Sequence, residues 1–295
     1  MADYILSTDS PLDLDVPHLK KRNIEFVCFH YYLNGKPYLD DMGQTVSLED
    51  FYKAMTEGAD TKTSQVNVDE YINYFTPYLE QGKDVLHVCL SSGLSGSYSN
   101  ACIARDELRE KFPDRRLKIV DSLGASSGFG LILETLADLR DQGMSFDDLF
   151  IWAENHVLEM HHWFFSTDLT FYIKGGRVSK VSGWFGTVLH ICPLLNMNYE
   201  GKLIPREKIR TKERVIRQIV DKMEENAVDG LNYSGKCFIS HSNCPKDAQA
   251  VADLVSARFK HLAAPIKINN IGTIIGSHAG PGTVALFFWG GRRCD

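Results

Sequence analysis

Serines and glycines alternate in the segment Leu90–Ser97, which reads Leu-Ser-Ser-Gly-Leu-Ser-Gly-Ser between an apolar run and a helical stretch. Glycines permit a tight turn, and backbone N–H groups at a helix start can hold an anion together with the hydroxyls. A serine-capped connection is the structural alternative. A hydrolase elbow is excluded because Ser97 occupies the position of its last glycine, and no Gly-Lys-Ser/Thr follows to make a Walker loop. The segment therefore supplies four anion-binding candidates: Ser91, Ser92, Gly93 and Ser95.

A second candidate is His278, because four glycines within the eleven residues 272–282 surround it. Glycine lets backbone approach a ligand closely, and an imidazole can donate to a carboxylate. A single histidine more often has a structural role, but the glycine density favours a site.

Two further segments carry polar or basic side chains next to turn signals. Thr63 and Ser64, preceded by Lys62, offer hydroxyls before a helix that begins near Val68; helix capping is the alternative role. Residues 171–179 join an apolar run to two glycines with Lys174 and Arg177, as a β-turn with surface charges would. Arg210 is expected to be a solvated charge at a helix start. The histidines at 156, 161 and 162 lack the spacing of a metal site.

The elements that must position these residues alternate between strands and helices in the first half of the chain. This pattern predicts a mostly parallel sheet covered on both faces, with ligands beyond the carboxyl ends of its strands. Polar clusters at 8–10, 91–93 and 121–122 fall at that edge. We predict strands at 4–7, 24–31, 84–90 and 117–120, and helices at 48–55, 68–79, 98–111, 126–141 and 146–160.

The second half is punctuated by more turns and predicts an α+β domain. The predicted domains are residues 1–161 and 162–295. Here we predict helices at 212–223 and 247–259, and strands at 163–166, 171–173, 188–195, 237–240, 266–271 and 284–289.

Composition favours a globular, cytoplasmic protein. The 295 residues carry a formal net charge of -6 without blocks of like charge, which gives no electrostatic basis for binding nucleic acid or an anionic membrane. The N-terminus does not resemble a signal peptide, and no apolar run approaches the length of a membrane helix. The seven cysteines are scattered, as in a reducing compartment, so we expect neither disulfides nor zinc.

Five segments in this order resemble the DegV family over essentially the whole chain. The resemblance implies two α/β domains with a fatty acid in a tunnel at or near their interface. The implied sheet topology, the EDD fold, is shared with dihydroxyacetone-kinase-like and mannose-transporter-like domains. The matching segments are Thr8–Ser10, Thr63–Gln65, Leu90–Gly96, Lys174–Ser179 and Gly276–Gly282.

The same resemblance implies a lipid carrier rather than an enzyme. Known members present a bound long-chain fatty acid to a kinase subunit, which phosphorylates its carboxylate to an acyl phosphate. No catalytic residue, metal or cofactor is implied, beyond the fatty acid itself. The implied carboxylate ligands are Thr63 or Ser64, the loop residues Ser91, Ser92, Gly93 and Ser95, and His278; Lys62, Lys174, Arg177 and Arg210 are candidate anion or kinase contacts.

This sequence departs from the family pattern around Thr63. Thr61 and Val66 stand where prolines are usual, and Lys62 replaces the first of two threonines. The added cation could strengthen carboxylate binding or alter docking of the partner, and it leaves the hydroxyl donor open.

Physical chemistry sets two demands on such a site. Burying the roughly fourteen CH₂ groups of a sixteen-carbon acid gains about 11 kcal/mol, so the tail must be fully enclosed. The carboxylate must meet several donors because burying an unpaired charge costs far more. The alternatives are a serine-dependent lipid hydrolase using Ser92 or Ser95, a phosphotransferase, and a lipid sensor without a kinase partner.

Overall fold

The computed structural model describes residues 4–178 and 191–295. Two short 3-10 helices, Val157–Glu159 and Gly230–Asn232, accompany the main elements. The strands are β1 (Tyr4–Asp9), β2 (Ile24–Val27), β3 (His30–Leu33), β4 (Lys36–Leu39), β5 (Thr61–Ser64), β6 (Asp84–Cys89), β7 (Leu117–Asp121), β8 (Met160–Ser166), β9 (Ile191–Met197), β10 (Leu203–Arg210), β11 (Phe238–His241), β12 (Lys267–Asn270) and β13 (Thr283–Trp289). The helices are α1 (Val16–Lys21), α2 (Leu48–Thr56), α3 (Val68–Glu80), α4 (Ser97–Lys111), α5 (Ser126–Asp141), α6 (Phe146–His156), α7 (Thr170–Lys174), α8 (Lys212–Asn226), α9 (Pro245–Arg258) and α10 (Thr273–Ala279).

The first sheet is four-stranded and parallel, in the order β2-β1-β6-β7. Its central strand β6 is buried from Val85 to Cys89, as expected for a strand covered on both faces. The predicted parallel α/β sheet is therefore confirmed.

Helix α5 lies between the first sheet and the second. Most of its residues are buried, and it contacts strands β8, β11 and β13. A helix that is apolar around most of its circumference belongs in an interior, which is where α5 lies.

The second sheet is six-stranded and mixed, in the order β10-β9-β8-β13-β11-β12. Along β8, Trp163 and Phe165 pack into the core beneath α8 and α9, whereas Phe164 packs into the core shared with the first half. This alternation follows from the two-residue period of a strand. The two faces of the sheet therefore border different interiors. Its helices and strands are mixed, as predicted for an α+β domain.

A small antiparallel sheet, β4-β3-β5, is a feature that the sequence interpretation missed. The single strand predicted over 24–31 is wrong: the chain leaves the first sheet after Val27 and enters this one at His30. The segment around Thr63, for which helix capping was the alternative role, is the third strand of this sheet, β5, which pairs with β3.

Three other predictions of secondary structure are also corrected. Residues 171–173, predicted as a strand, lie in helix α7, because a three-residue apolar run does not distinguish the two periods. The helix predicted to reach Met160 ends at His156. Arg210 ends strand β10 instead of beginning a helix. Of the strand predicted over 188–195, residues 188–190 lie outside the described residues, as does Ser179.

Candidate functional site

A cavity of about 330 Å³ lies between the carboxyl edge of the first sheet and the second sheet. This volume falls in the range of small-molecule sites, roughly 300–1,000 Å³. Thr283 and Phe287, four positions apart on β13, both line it, so the wall extends for about 13 Å along that strand. Its apolar lining consists of Phe29, Leu90, Leu94, Ala125, Phe164, Tyr172, Met197, Leu203, Ile271, Ile274, Ile275, Ala279, Ala285 and Phe287, and its polar lining of Thr63, Ser64, Gln65, Ser95, Ser126, His162, Arg177, His278 and Thr283.

Thr63 and His278, predicted from segments 215 residues apart, meet in the wall of this cavity. The hydroxyl Oγ1 of Thr63 lies 2.7 Å from Nε2 of His278. Strand β5 positions Thr63 through its pairing with Tyr31 of β3. Helix α10 carries His278 one turn after Ile274, which also lines the cavity.

His278 is neutral, and its hydrogen-bonding pattern fixes the role of Thr63. Burial, with the nearby Arg177 guanidinium, lowers the pKa of His278 to about 4. Its Nδ1 is buried without a partner in the described structure. A buried orphan N–H is rarer than an orphan acceptor, so we assign the ring proton to Nε2, which donates to Thr63 Oγ1. The Thr63 O–H is then free to donate into the cavity.

Gly175, which follows α7, packs directly against the His278 ring. A Cβ on Gly175 would lie only 2.3 Å from His278 Nδ1, too close for any side chain. The first glycine of the pair in the 171–179 segment, Gly175, is therefore required by its close packing against His278. Gly176, the second glycine, adopts φ +69°.

The serine–glycine loop contributes less to the cavity than its sequence indicates. Ser95 lines the cavity, whereas Ser91, Ser92 and Gly93 are absent from its wall. The backbone N–H groups from Ser91 to Ser97 are all engaged within the protein, with Ser92 donating to Asp121 at 3.1 Å. The loop therefore offers no free backbone N–H group in this conformation.

Ser91 and Gly93 anchor the serine–glycine loop to the β9–β10 hairpin. Ser91 Oγ donates to the carbonyl of Gly201 at 2.9 Å. A Cβ on Gly93 would lie 2.5 Å from the carbonyl oxygen of Glu200. Glycine is required at position 93 because the neighbouring atoms are backbone and cannot move aside.

Gln65 is a cavity residue that was absent from the predicted site. Its Oε1 accepts hydrogen bonds from Gly96 N at 2.7 Å and Ser95 Oγ at 3.2 Å. The acceptor role identifies the oxygen, so the amide nitrogen Nε2 is the atom left to donate elsewhere. Gln65 follows Thr63 and Ser64 in the same motif, and this position could have identified it as a site residue from the sequence.

The four predicted cations occupy different places. Arg177 lines the cavity, donates to the carbonyl of Gly175 at 2.6 Å, and has no carboxylate partner among the described residues. Lys174 and Lys62 both lie beside Asp60, at 2.6 and 3.8 Å, and are exposed outside the cavity wall. The hydrogen bond from Lys174, together with the charges of both lysines, lowers the pKa of the Asp60 carboxyl. Arg210 is exposed at the end of β10 and is also not part of the wall.

The chain matches the family model described as "Uncharacterised protein, DegV family" over residues 5–290. This chain belongs to the DegV family. A DegV domain-containing protein of Clostridium perfringens is 33% identical over 293 residues, which cover 99% of each chain. One from Streptococcus pyogenes serotype M1 is 30% identical over 287 residues, 97% of this chain and 98% of that protein.

Solved DegV structures share the fold over nearly the whole chain. A DegV lipid-binding protein from Thermotoga maritima aligns with a TM-score of 0.82 and 25% identity, covering 99% of this chain and 100% of that one. A fatty-acid-binding DegV protein from Thermus thermophilus gives 0.86 and 23%, with coverage of 98% and 99%. The Streptococcus pneumoniae fatty acid kinase B3 protein, loaded with linoleic acid, gives 0.83 and 22%, with coverage of 99% and 100%.

Two buried carboxylates hold helix α10, which carries His278. The sequence interpretation missed both. Asp13 accepts from the backbone N–H of Gly272 at 2.8 Å and from the hydroxyl of Ser126. Asp40 accepts from Thr273 Oγ1 at 2.6 Å. Burial raises the pKa of both acids, that of Asp13 to about 7. The start of α10 is therefore fixed by long-range contacts that no local pattern reveals.

A second buried network, centred on Asp9, supports the serine–glycine loop. Asp9 accepts from Leu90 N at 2.9 Å and Tyr71 OH at 2.6 Å, while His87 lies between Asp9 and Ser7 at 3.1 and 2.8 Å. The Ser7–His87–Asp9 arrangement has the connectivity of a hydrolase triad, but all three side chains are fully buried outside the cavity wall. One side-chain oxygen, nitrogen or sulfur atom each of Asp9, His87 and Cys89 lies within 4.8 Å of the others, a spacing that could hold a metal ion. The Asp9 oxygens and both His87 nitrogens, however, already have hydrogen-bond partners within the protein.

None of the helices in residues 4–178 and 191–295 is both long enough and apolar enough to cross a membrane.

Proposed function

We propose that this chain binds one long-chain fatty acid, with the tail in the cavity and the carboxylate at the Thr63–His278 pair. The observation that carries the proposal is a hydroxyl oriented by a neutral histidine in the wall of a largely apolar cavity. The carboxylate ligands we assign are Thr63, Ser64 and Gln65, with Arg177 as counter-charge. Names of structural neighbours support the ligand class, since two are described with fatty acid or linoleic acid.

A fatty acid needs an apolar surface for its tail and hydrogen-bond donors for its carboxylate, and the cavity wall contains both. Apolar side chains predominate along the cavity, which suits a methylene chain worth about 0.8 kcal/mol per buried CH₂. The polar residues Thr63, Ser64, Gln65 and Arg177 supply hydrogen-bond donors and one positive charge for the carboxylate. Arg177 is half-buried without a carboxylate partner in the described ranges, so a bound anion would neutralise it.

Within this proposal the chain is a cytoplasmic, non-catalytic carrier that presents its fatty acid to a kinase subunit. The name of the Streptococcus pneumoniae neighbour, a fatty acid kinase B3 protein, supports that role. Lys62, Lys174 and Arg210 are exposed outside the cavity wall and remain candidate contacts for the kinase. The serine hydrolase reading has less support, because Ser92 lies outside the wall and Ser95 donates to Gln65 rather than to a histidine.

Native mass spectrometry of the purified chain tests the ligand, followed by organic extraction and weighing of the released molecule. We expect one fatty acid per chain and reduced occupancy in Thr63→Val. A delipidated chain that binds no fatty acid in a titration would overturn the proposal. Ester turnover that disappears in Ser95→Ala would instead favour the hydrolase.

The kinase step needs its own experiment. The loaded chain, ATP and a fatty acid kinase catalytic subunit should together form acyl phosphate, trapped as the hydroxamate. Each component alone should form none. ATP-dependent product from the isolated chain would contradict the carrier role.

A further inference from the structure

Alternate residues of two neighbouring strands, β8 and β13, form one wall of the cavity. On β13 these are Thr283, Ala285 and Phe287, and on β8 they are Phe164 and His162. Phe164 pairs with Ala285, and His162 pairs with Phe287. Residues two positions apart on a strand point to the same face, so this row marks the course of the cavity across the sheet.

One end of the row is the pair of His162 and Phe287. The next residues on the same face, Met160 of β8 and Trp289 of β13, pair with each other and are not part of the cavity wall. Met160 is fully buried in the protein core. Along these two strands the cavity therefore ends at His162 and Phe287.

The opposite end of the row lies beside His278. Thr283 Oγ1 lies 3.4 Å from the carbonyl oxygen of Ala279, the residue that follows His278. Thr283 is about 13 Å from Phe287 along β13. A fatty acid whose carboxylate is held at His278 would therefore direct the methyl end of its tail toward Phe287.

Helix α5 packs directly behind both rings of the terminal pair. A Cβ on Gly128 would clash with Nε2 of His162 and lie 2.6 Å from Cδ1 of Phe287, whereas Gly128 itself is not part of the cavity wall. The two rings meet edge to face, with their centroids 5.4 Å apart. Because the helix backbone lies against them, the rings cannot move back to admit a longer tail.

Hydrogen bonds also fix the ring of His162. Its Nδ1–H donates to the carbonyl of Met160 at 3.1 Å, and its Nε2 accepts from the backbone N–H of Ala125 at 3.3 Å. Burial, together with the charge of Arg293, holds the pKa of His162 well below its usual range, so the ring is neutral. With both nitrogens engaged, the ring offers the cavity an aromatic surface, which suits the methyl end of a tail better than a polar group.

We propose that His162 and Phe287 form a fixed stop for the acyl tail and set the longest fatty acid that the chain binds well. This inference rests on the proposed function, because it requires the carboxylate to lie at the Thr63–His278 pair. Affinity should rise about fourfold for each further CH₂ group that is buried, until the tail reaches the stop. A longer tail has to bend or displace packed rings, so affinity should then stop rising or fall.

The test is a calorimetric titration of the delipidated chain with saturated fatty acids of about 12 to 20 carbons, which locates the length of highest affinity. Leucine is smaller than phenylalanine, so Phe287→Leu should move that length upward by about two carbons. Urea unfolding checks that the variant is folded. If Phe287→Leu does not fold, Phe287→Met serves the same test, because its flexible side chain can move aside for a longer tail.

Phe288→Leu is the matched control. Phe288 is the next residue of β13 and is also fully buried, but it packs into the core beneath α8 and α9, on the other face of the sheet. The same substitution there should leave the length of highest affinity unchanged.

Two results would overturn the stop while leaving the proposed function intact. The first is an unchanged length of highest affinity in a folded Phe287 variant that still binds fatty acids, since the tail would then end against another part of the wall. The second is an equal increase in length in Phe287→Leu and Phe288→Leu, which would indicate a general loosening of the sheet. An unaltered chain that binds none of the acids would overturn the proposed function and the stop together.

Discussion

Replacing Thr63 by valine removes the hydroxyl that is proposed to bind the fatty acid and keeps the shape of the side chain. His278 Nε2–H then loses its acceptor, 2.7 Å away, and the ligand carboxylate loses a donor. A hydrogen bond to a charged group is worth about 1.5–3 kcal/mol. Since 1.4 kcal/mol corresponds to a tenfold change, the dissociation constant should rise by about 10- to 150-fold. The orphaned imidazole should lower the free energy of unfolding by about 1–3 kcal/mol.

The assay is a calorimetric titration of the delipidated chain with palmitate, together with urea unfolding. Thr63→Ser retains the hydroxyl and should keep affinity within about threefold of the unaltered chain, a difference below 1 kcal/mol. Thr135→Val is the matched control, because the Thr135 hydroxyl donates to the carbonyl of Leu131 and is not part of the cavity wall. Equal affinities for Thr63→Val and Thr135→Val would refute the assignment of Thr63 as a direct donor.

Three further predictions address the surroundings of this pair. Gly175→Ala should displace the His278 ring and weaken palmitate binding at least as much as His278→Ala does. Gly291→Ala is the control, because the space around its Cβ position is open, and it should leave binding unchanged. Unchanged binding to Gly175→Ala would contradict the close packing of Gly175 against His278. Arg177→Gln should lower affinity and reduce its dependence on salt, measured by titrations between low and physiological ionic strength; an unchanged salt dependence would contradict the role of Arg177 as counter-charge. Burial raises the pKa of Asp13 from about 3.9 when unfolded to about 7, so the folded chain binds the extra proton and its stability falls as pH rises through that window, by on the order of 4 kcal/mol. Between pH 5 and pH 8 the change in stability, measured by urea unfolding, should be less favourable by about 3 kcal/mol in the unaltered chain than in Asp13→Asn, because two pH units of that interval lie below the folded pKa; equal changes would contradict it.

Elements with strong local patterns could be predicted from the sequence. Strand β6 is apolar apart from Asp84 and His87, and the helix after the serine–glycine loop begins at Ser97, one residue from its predicted start. Their order also predicted the parallel sheet, with the polar clusters at 8–10, 91–93 and 121–122 following its strands at the carboxyl edge. These features depend on period and turn chemistry, which are local properties.

The small sheet and the buried acids could not be predicted in the same way. Strand β5 reads Thr-Lys-Thr-Ser, four polar residues without a visible hydrophobic period, and it exists because β3 pairs with it. Asp13 and Asp40 bind the start of α10 from more than 230 residues away in sequence. Nothing adjacent to those acids distinguishes them from surface carboxylates.

The serine–glycine loop shows why a motif does not specify which of its groups face a ligand. Its N–H groups are consumed by Asp121, Gln65 and the loop itself, so the loop acts mainly as a support for Ser95 and Gln65. The donors assigned to the ligand are instead side chains that retain an unused N–H or O–H after these internal bonds are counted. The motif had already indicated Thr63, whereas counting donors added Gln65 and left the Thr63 hydroxyl free to bind the ligand.

A neutral His278 is also consistent with the proposed carrier role, because a carrier must release its ligand as well as bind it. A protonated imidazole against a carboxylate in a low-dielectric cavity would form an ion pair that is costly to separate. With its pKa lowered to about 4, His278 instead donates to Thr63 and orients a neutral hydroxyl. Palmitate affinity should therefore not change between pH 6 and 8 through titration of His278, and a steep loss over that range that is absent from His278→Gln would show that the charged ring binds the ligand directly.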